Sequence, residues 1–296
     1  MKESLLAPGH SMCAGCGQTI AARIITDTAG PDSVVVNATG CLEVSTSLYP
    51  NSSWGIPWIH SLFENAAAVA AGIESALNYS GKIDNTKVIA HAGDGGTADI
   101  GLQALSGMWE RGHNILYVCH DNSAYMNTGV QRSSLTPYKA NTTTSPAGTH
   151  SLGNPFREKD MIKIAAAHNI PYVASASVGF PRDLRRKVKK ALSIKGPKYL
   201  QVLVPCPLGW RHETRLTYRI GRLAVETGLL PLVEYEYGEL TSVLKIKELL
   251  KVEEYLKVQG RFKHLFEDSQ ESREQLQKIQ DYADHNIKKY GLLKES

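Results

Sequence analysis

The chain has 296 residues, 33 Lys and Arg against 29 Asp and Glu, and a formal net charge of +4. That balance is too even to hold a polyanion, and no basic run is interleaved with aromatics, so nucleic acid is excluded as a partner. No window reaches the ~18 apolar residues of a membrane span, and Met1–His10 lacks the apolar core of a signal peptide. The expectation is a cytoplasmic protein with reduced thiols and no membrane contact. The length suits one large α/β domain, expected over 1–240, with a charged helical tail over 241–296.

Cys13-Ala14-Gly15-Cys16 comes first and forms a chelating pair. In a reducing compartment such a pair binds metal or does redox chemistry. A helical pattern covers Gln18–Thr28. The β-branched run Ser33–Asn37 reads as a buried strand and ends at Thr39-Gly40-Cys41-Leu42. A long helix is predicted over Leu62–Tyr79. Glu64 in its first turn has a dipole reason to be there, so no catalytic role is assigned to it. The strand Lys87–Ala92 runs into Gly93-Asp94-Gly95-Gly96. A helix over Asp99–Arg111 and a strand over Asn114–His120 follow, and the strand ends at Asp121-Asn122. Within that strand Cys119 reads as a small buried hydrophobe. His10, His60 and His91 lie near motifs but have none of their own and read as structural.

From Asn127 to Pro155 the chain is rich in Thr, Ser, Asn, Gly and Pro without periodicity, which suggests a functional loop. A helix over Lys159–His168, a strand over Tyr172–Ser175, a helix over Arg182–Ile194 and a strand over Tyr199–Val204 complete the alternation. The last strand ends at Pro205-Cys206-Pro207. Beyond Thr241 the composition turns to Lys, Glu, Leu and Gln, and charged helices are predicted over Val243–Val258 and Ser269–Lys289. Strands alternating with helices of this length predict an α/β fold, a mostly parallel sheet with helices on both faces. Ligands of such sheets sit beyond the carboxyl ends of the strands.

Mg²⁺ takes about six oxygen ligands near octahedral geometry. Asp94 offers a carboxylate at one strand end and Asn122 an amide oxygen at the next. The turn Ser123-Ala124-Tyr125 can aim the Ala124 carbonyl at the same ion. Gly93, Gly95 and Gly96 are expected to let the backbone approach closely and adopt positive φ. The N–H groups of a helix starting near Thr97 would then face phosphate oxygens. This is a diphosphate cradle rather than a nicotinamide site. The G-x-G-x-x-G fingerprint is absent, and Asp94 would repel a pyrophosphate unless a cation lay between them.

Cys41 follows the first strand and Cys206 the last, so with Cys13 and Cys16 four thiols fall on the diphosphate side of the sheet. Four thiolates suit Zn²⁺ or a [4Fe-4S] cluster, and spacing alone does not separate the two. Single cysteines drawn from distant strand ends fit a cluster somewhat better than a zinc built from two close pairs.

These stretches together resemble the β subunit of 2-oxoacid:ferredoxin oxidoreductases of the pyruvate type. The match runs from Pro8-Gly9-His10 and Cys13-Ala14-Gly15-Cys16-Gly17 through Thr39-Gly40-Cys41 and His60-Ser61-Leu62-Phe63-Glu64-Asn65. It continues through Gly93-Asp94-Gly95, Asp99-Ile100-Gly101, Tyr125–Ser134 and Pro205-Cys206-Pro207. The resemblance implies a [4Fe-4S] cluster on Cys13, Cys16, Cys41 and Cys206. It implies thiamine diphosphate with Mg²⁺ on Asp94, Asn122 and the Ala124 carbonyl. Gln18, Gly40, Cys41, Gly93, Gly95, Gly96 and Thr128 would lie around the cofactor, and Asn127 would be catalytic, beside the thiazolium and substrate. Some relatives carry Glu at Gln18 and Thr at Asn122.

The implied reaction is oxidative decarboxylation of a 2-oxoacid. Electrons would pass through the cluster to ferredoxin, with coenzyme A as the acyl acceptor. Pyruvate is the expected substrate; branched-chain 2-oxoacids, oxalate and aryl glyoxylates are the alternatives. A non-redox thiamine decarboxylase component with a structural zinc is the rival reading. The chain resembles only the diphosphate-binding half. An α subunit with the pyrimidine-binding domain, and γ- and δ-type subunits, are the implied partners.

Overall fold

The structure is a computed structural model and describes residues 4–294. Met1–Glu3 of the N-terminal stretch and Glu295–Ser296 of the expected tail lie outside the described residues. The strands are β1 (Ser33–Ala38), β2 (Trp58–Ser61), β3 (Lys87–Gly93), β4 (Ile115–Asp121), β5 (Ala147–Gly148), β6 (Ser151–Leu152), β7 (Tyr172–Ser177), β8 (Lys198–Leu203), β9 (Val233–Glu236) and β10 (Glu239–Val243). The helices are α1 (Gly17–Ala29), α2 (Cys41–Thr46), α3 (Ala66–Tyr79), α4 (Asp94–Ala98), α5 (Leu102–Glu110), α6 (Met161–Ala167), α7 (Pro181–Ser193), α8 (Pro207–Trp210), α9 (Thr217–Glu226), α10 (Val252–Leu256) and α11 (Gln270–Tyr290).

Eight strands form one sheet in the order β10-β9-β7-β8-β4-β3-β1-β2. The six from β7 to β2 run parallel, and β9 and β10 are added antiparallel. The expected mostly parallel sheet is therefore present. Its central strands are largely apolar because helices cover both faces. On one face α1 and α7 lay Ile25, Leu184 and Val188 against Val35, Ile89 and Leu200. On the other, α3, α5 and α6 lay Ala70, Leu105 and Ala165 against Val36, Ala90 and Tyr117. From β1 the chain steps one way to β2 and the other way to β3. Strand order thus reverses at β1–β3, and such a reversal opens a crevice beyond the strand ends.

A third core lies past those ends. Trp210, Ile220, Tyr255, Phe262, Ile279 and Ala283 pack there with Tyr138 and Leu203. The division expected at 240/241 falls inside β10. The helix predicted over Val243–Val258 is corrected: only Val252–Leu256 is helical. Residues between leave β10 as irregular chain because Leu244 N–H donates to the Leu232 carbonyl and Leu250 N–H to the Glu226 carbonyl. Tertiary bonds there override a helix-favouring composition. The helix predicted over Ser269–Lys289 is present as α11, with the Ser269 hydroxyl accepting from Ser272 N–H at its start. Among the described residues no helix is long and apolar enough to cross a membrane.

Candidate functional site

Asp94 and Asn122 stand at the ends of the adjacent strands β3 and β4, and both are buried. The Asn122 side-chain oxygen faces the Ala124 carbonyl oxygen at 2.8 Å and Asp94 Oδ1 at 2.9 Å. With Asp94 ionised, three acceptors so placed have no proton between them. Either the amide turns and donates to both, or a cation stands among them. Mg²⁺ with ligands at about 2.1 Å sets neighbouring octahedral oxygens about 3 Å apart. The two spacings from the Asn122 oxygen match edges of that octahedron.

The local chain is built to aim them. Ser123 has φ of 67°, a left-handed conformation that costs about 1 kcal/mol or more in a residue with a side chain. Two bonds hold it there. Ser123 N–H donates to Asp121 Oδ1 at 3.0 Å, and the Thr136 hydroxyl donates to the Ser123 carbonyl at 2.7 Å. The resulting kink brings the Ala124 carbonyl round. The Ser133 hydroxyl donates to Asp94 Oδ2 and fixes the carboxylate plane. Burial, and then the neighbouring Asp121, push the Asp94 pKa well above the carboxylate range. Asp121 itself is pushed up to about 6, mainly by burial. Two buried carboxyls that burial raises despite the nearby Arg261 are an environment a divalent cation relieves.

Gly95 and Gly96 serve close approach rather than positive φ, and a Cβ on Gly93 would meet nothing, which corrects the sequence expectation. None of Gly93, Gly95 and Gly96 has positive φ. A Cβ on Gly95 would enter the Tyr125 ring, and one on Gly96 would meet the Phe63 carbonyl. The helix expected near Thr97 begins at Asp94. It breaks at Asp99–Gly101, where Gly101 packs on the Gly96 carbonyl. Asp99 then accepts from the Tyr125 hydroxyl at 2.6 Å and from Ser134 N–H at 3.2 Å, which ties the loop over the site. The segment expected as an irregular functional loop is ordered by the fully buried Asn154. Its amide donates to the Thr136 and Phe156 carbonyls, and its oxygen accepts from Arg132.

The four thiols share one neighbourhood at the same edge. Cys16 precedes α1, Cys41 opens α2, and Cys206 precedes α8 with its sulfur accepting from Gly209 N–H at 3.3 Å. Burial raises all three thiols. The nearby Cys206, Cys16 and Cys13 raise Cys41 further, to about 12. Cys206 reaches about 11, with Cys16 and Cys13 again among the causes. Cys13, Cys16 and Cys206 thus disfavour ionisation of Cys41, which a bound cation would relieve. Among the described residues no three His, Cys, Asp or Glu side chains gather closely enough to hold a single metal ion. A cubane cluster places a different demand on its ligands, one thiolate for each of four irons. Cys119 is fully buried in the core, as expected.

Asn127 and Thr128 are exposed on the loop, and Asn127 Oδ1 lies 3.9 Å from Cys41 Sγ. Gln18 is buried in the first turn of α1. Gly40 is the residue before α2. Glu64 precedes α3 rather than lying in its first turn, so the dipole argument for it does not apply; Asn65 is the capping position. His91 and His120 form a buried pair, 2.7 Å apart, and burial pushes His91 down to about 3. His60 bonds the Thr39 hydroxyl at 2.7 Å.

Sequence reasoning missed Ser133, Asp121 and Trp210. Trp210 Nε1–H donates to the Asn122 carbonyl at 2.6 Å, and Val204 N–H donates to the Asp121 carbonyl at 2.9 Å. Gly17 N–H donates to the Pro205 carbonyl at 3.1 Å. One segment, 204–210, therefore joins the oxygen triplet to the thiols. A tryptophan or serine outside a motif gives no signal of such a role before the fold is known.

The family model of the thiamine pyrophosphate enzyme C-terminal TPP binding domain matches residues 38–202. The pyruvate synthase subunit PorB of Methanosarcina barkeri is 56% identical over 290 residues, 98% of each chain. That of Methanocaldococcus jannaschii is 54% identical over 297 residues, again 98% of each. Among solved structures, the 2-oxoglutarate:ferredoxin oxidoreductase from Magnetococcus marinus superimposes with a TM-score of 0.58 at 20% identity. It covers 72% of this chain and 77% of that one, a likeness of fold.

Proposed function

This chain belongs to the pyruvate synthase PorB family, the β subunits of 2-oxoacid:ferredoxin oxidoreductases, and from that premise we propose how its residues serve the reaction. It is one subunit of an oxidoreductase and carries a thiamine diphosphate-binding domain. We assign Asp94, Asn122 and the Ala124 carbonyl to Mg²⁺, which would neutralise the diphosphate charge of the cofactor. The Asn122 side chain facing both the Ala124 carbonyl and Asp94 Oδ1 at the strand ends supports the assignment. We assign Cys13, Cys16, Cys41 and Cys206 to a [4Fe-4S] cluster. The bound groups supply a carbanion nucleophile for decarboxylation and a one-electron store.

The chain's own work is positional. Asp94 supplies the negative charge that holds the cation, and Ser133 and Asp121 keep it and its neighbours in place. Gly95 and Gly96 draw Tyr125 and Phe63 over the site and keep water from it. Asn127 offers a side-chain amide to substrate from a position beside Cys41. Gln18, Gly40, Gly93 and Thr128 complete the surroundings of the cofactor. The pyrimidine-binding half and its activating glutamate belong to an α subunit. The γ- and δ-type subunits and ferredoxin complete the path, pyruvate and coenzyme A are the co-substrates, and the compartment is the cytoplasm.

The test is reconstitution. The purified chain alone should not turn over pyruvate, even with Mg²⁺ and thiamine diphosphate. The assembled anaerobic complex should reduce a viologen with pyruvate ahead of branched-chain 2-oxoacids, oxalate or aryl glyoxylates. Its β subunit should contain iron and sulfide. Turnover by the single chain, or stoichiometric zinc without iron, refutes the proposal.

A further inference from the structure

Among the described residues Lys187 and Lys198 are buried almost completely, and their surroundings differ. Lys187 Nζ has Asp183 Oδ2 at 2.7 Å and donates to the Ser175 carbonyl at 2.8 Å. Lys198, only 3% exposed, has no carboxylate within ion-pair distance among the described residues. Its Nζ donates to one neutral acceptor, Asn114 Oδ1, at 2.6 Å. Glu74 acts on it only from a distance, and that carboxylate is taken up by Asn78 at 2.7 Å and His113 at 2.9 Å. A buried charge persists where it is paired. Lys198 is unpaired and favours the neutral amine; burial brings its pKa down to about 7.

The sheet explains why the amine is there. Lys198 opens β8 in register with Leu116 of β4 and Tyr172 of β7. Strand alternation sets it on the same face as Leu200 and Val202, so its stem continues the apolar layer under α1 and α7. Its amino end reaches the foot of the sheet. There the end of α7 and the segment before β3 leave an open cavity of about 600 Å³. Lys198 and Asn114 line it, and Lys87, Lys195, Asp32 and Asp84 are its other charged groups. Lys87 Nζ donates to the Ala29 carbonyl at 2.6 Å, and Lys195 meets Asp84 at 3.6 Å in an exposed bridge. Two lysines thus balance two aspartates, and the cavity has no net charge while Lys198 is neutral. A neutral, desolvated lysine is a nucleophile. The balanced walls give an anionic electrophile such as a 2-oxoacid no attraction. A small uncharged one meets no barrier.

We propose that the Lys198 amine takes up carbon dioxide reversibly as a carbamate, which makes this cavity a carbon dioxide site at the edge of the sheet opposite the oxygen triplet. The nitrogen lone pair attacks the carbon and an N–C bond forms. One C–O π pair becomes the carboxylate charge, and one N–H proton leaves to solvent. Amine and carbon dioxide give carbamate and a proton, with nothing oxidised or reduced. The carbamate keeps one N–H, which suffices for Asn114 Oδ1. Its carboxylate stands in the cavity, where Lys195 is free to turn to it, since an exposed bridge holds little. The site stands independently of the function proposed above, although a decarboxylating complex would supply its own ligand.

The test uses the assembled complex equilibrated with isotopically labelled carbon dioxide. Carbamate is trapped by alkylation with triethyloxonium ion and mapped by peptide mass spectrometry. The ethyl carbamate should fall on Lys198. At fixed dissolved carbon dioxide its yield should rise at least about tenfold from about pH 6 to about pH 8, as the neutral amine fraction does. Asn114→Asp sets a carboxylate beside the amine, favours the ammonium, and should cut the yield at least about tenfold near neutral pH. Lys195→Met should lower it severalfold. Lys198→Met should abolish it, with viologen reduction unchanged. Equal yield in Lys198→Met, label confined to the amino terminus or other lysines, or a yield indifferent to pH overturns the proposal. So does an acyl group, or a borohydride-reducible 2-oxoacid adduct, on Lys198 in place of the carbamate. An active complex without label on Lys198 refutes the carbamate alone. A complex that carries the carbamate yet turns over no 2-oxoacid supports the site and refutes the function proposed above.

Discussion

Asp94→Asn separates two effects of opposite sign. In the cation-free chain Asp94 is buried beside Asp121, and both circumstances raise its pKa well above the carboxylate range. A carboxyl raised in this way gives its full stability below the unfolded-state value and loses it as pH rises through the folded-state value. The ionised group is then a cost, and the substitution removes it. The cation-free variant should therefore melt above the wild type, and the gap should widen as pH rises past the ordinary carboxylate range. With Mg²⁺ and thiamine diphosphate the sign reverses. Removing one partner of a buried charge pair costs about 3–5 kcal/mol, which is a factor of roughly 10²–10⁴ in affinity. At about 100 times the wild-type Kd, ligand stabilises the wild type by about 2.7 kcal/mol, whereas a variant about 100-fold weaker keeps about 0.4 kcal/mol. Titration calorimetry of the assembled complex gives the affinities, and thermal scans with and without ligand give the two signs. Unchanged affinity, or a cation-free variant less stable than the wild type, would refute the assignment.

Ser133→Ala removes the hydroxyl on Asp94 Oδ2 and should weaken cofactor binding by about 1.5–3 kcal/mol with the fold retained, as the same titration will show. Cys206→Ala should strip iron from the anaerobically purified subunit, whereas Cys119→Ala should leave it; equal loss in both would mean the fourth ligand is misassigned. Gly95→Ala drives a methyl into the Tyr125 ring and should cost about 1–3 kcal/mol, with the Tyr125–Asp99 bond lost; an unshifted urea midpoint would refute this. Burial alone would raise Glu234, but bonds from Arg186, Tyr172 and Lys190 outweigh it and hold the group at about 2. That depressed value stabilises above the usual 4.5 and is lost as pH falls from there to about 2. Glu234→Gln should therefore flatten the acid limb of stability against pH, and parallel curves would contradict it.

The five central parallel strands were legible because each is a short, largely apolar run between helical patterns, with β-branched stretches in Val34-Val35-Val36 and Val88-Ile89. β2, β9 and β10 were not. They are edge additions of four or five residues, partly exposed, and their alternation is too short to stand out. In β9 the buried Glu234 even breaks the apolar pattern, and its reason for being there is Arg186, 48 residues away in sequence. Asp94, Asn122 and the Ala124 carbonyl could be brought together on paper because strand ends of a parallel sheet share an edge. Ser133 and Thr136 could not, since their loop has no periodicity and its path is set by Asn154 and Tyr125.

Residues 204–210 are clasped to Asp121 and Asn122 on one side and to Gly17 on the other. The two halves of the site are thus strung on a single thread. With a cluster on the thiols, as proposed, ordering that thread would leave less ordering to be done when Asn122 took its place on the proposed cation. Such linkage is reciprocal. On the proposed assignments the two groups would therefore assist one another's insertion in either order, and a subunit that lost one of them would hold the other less firmly.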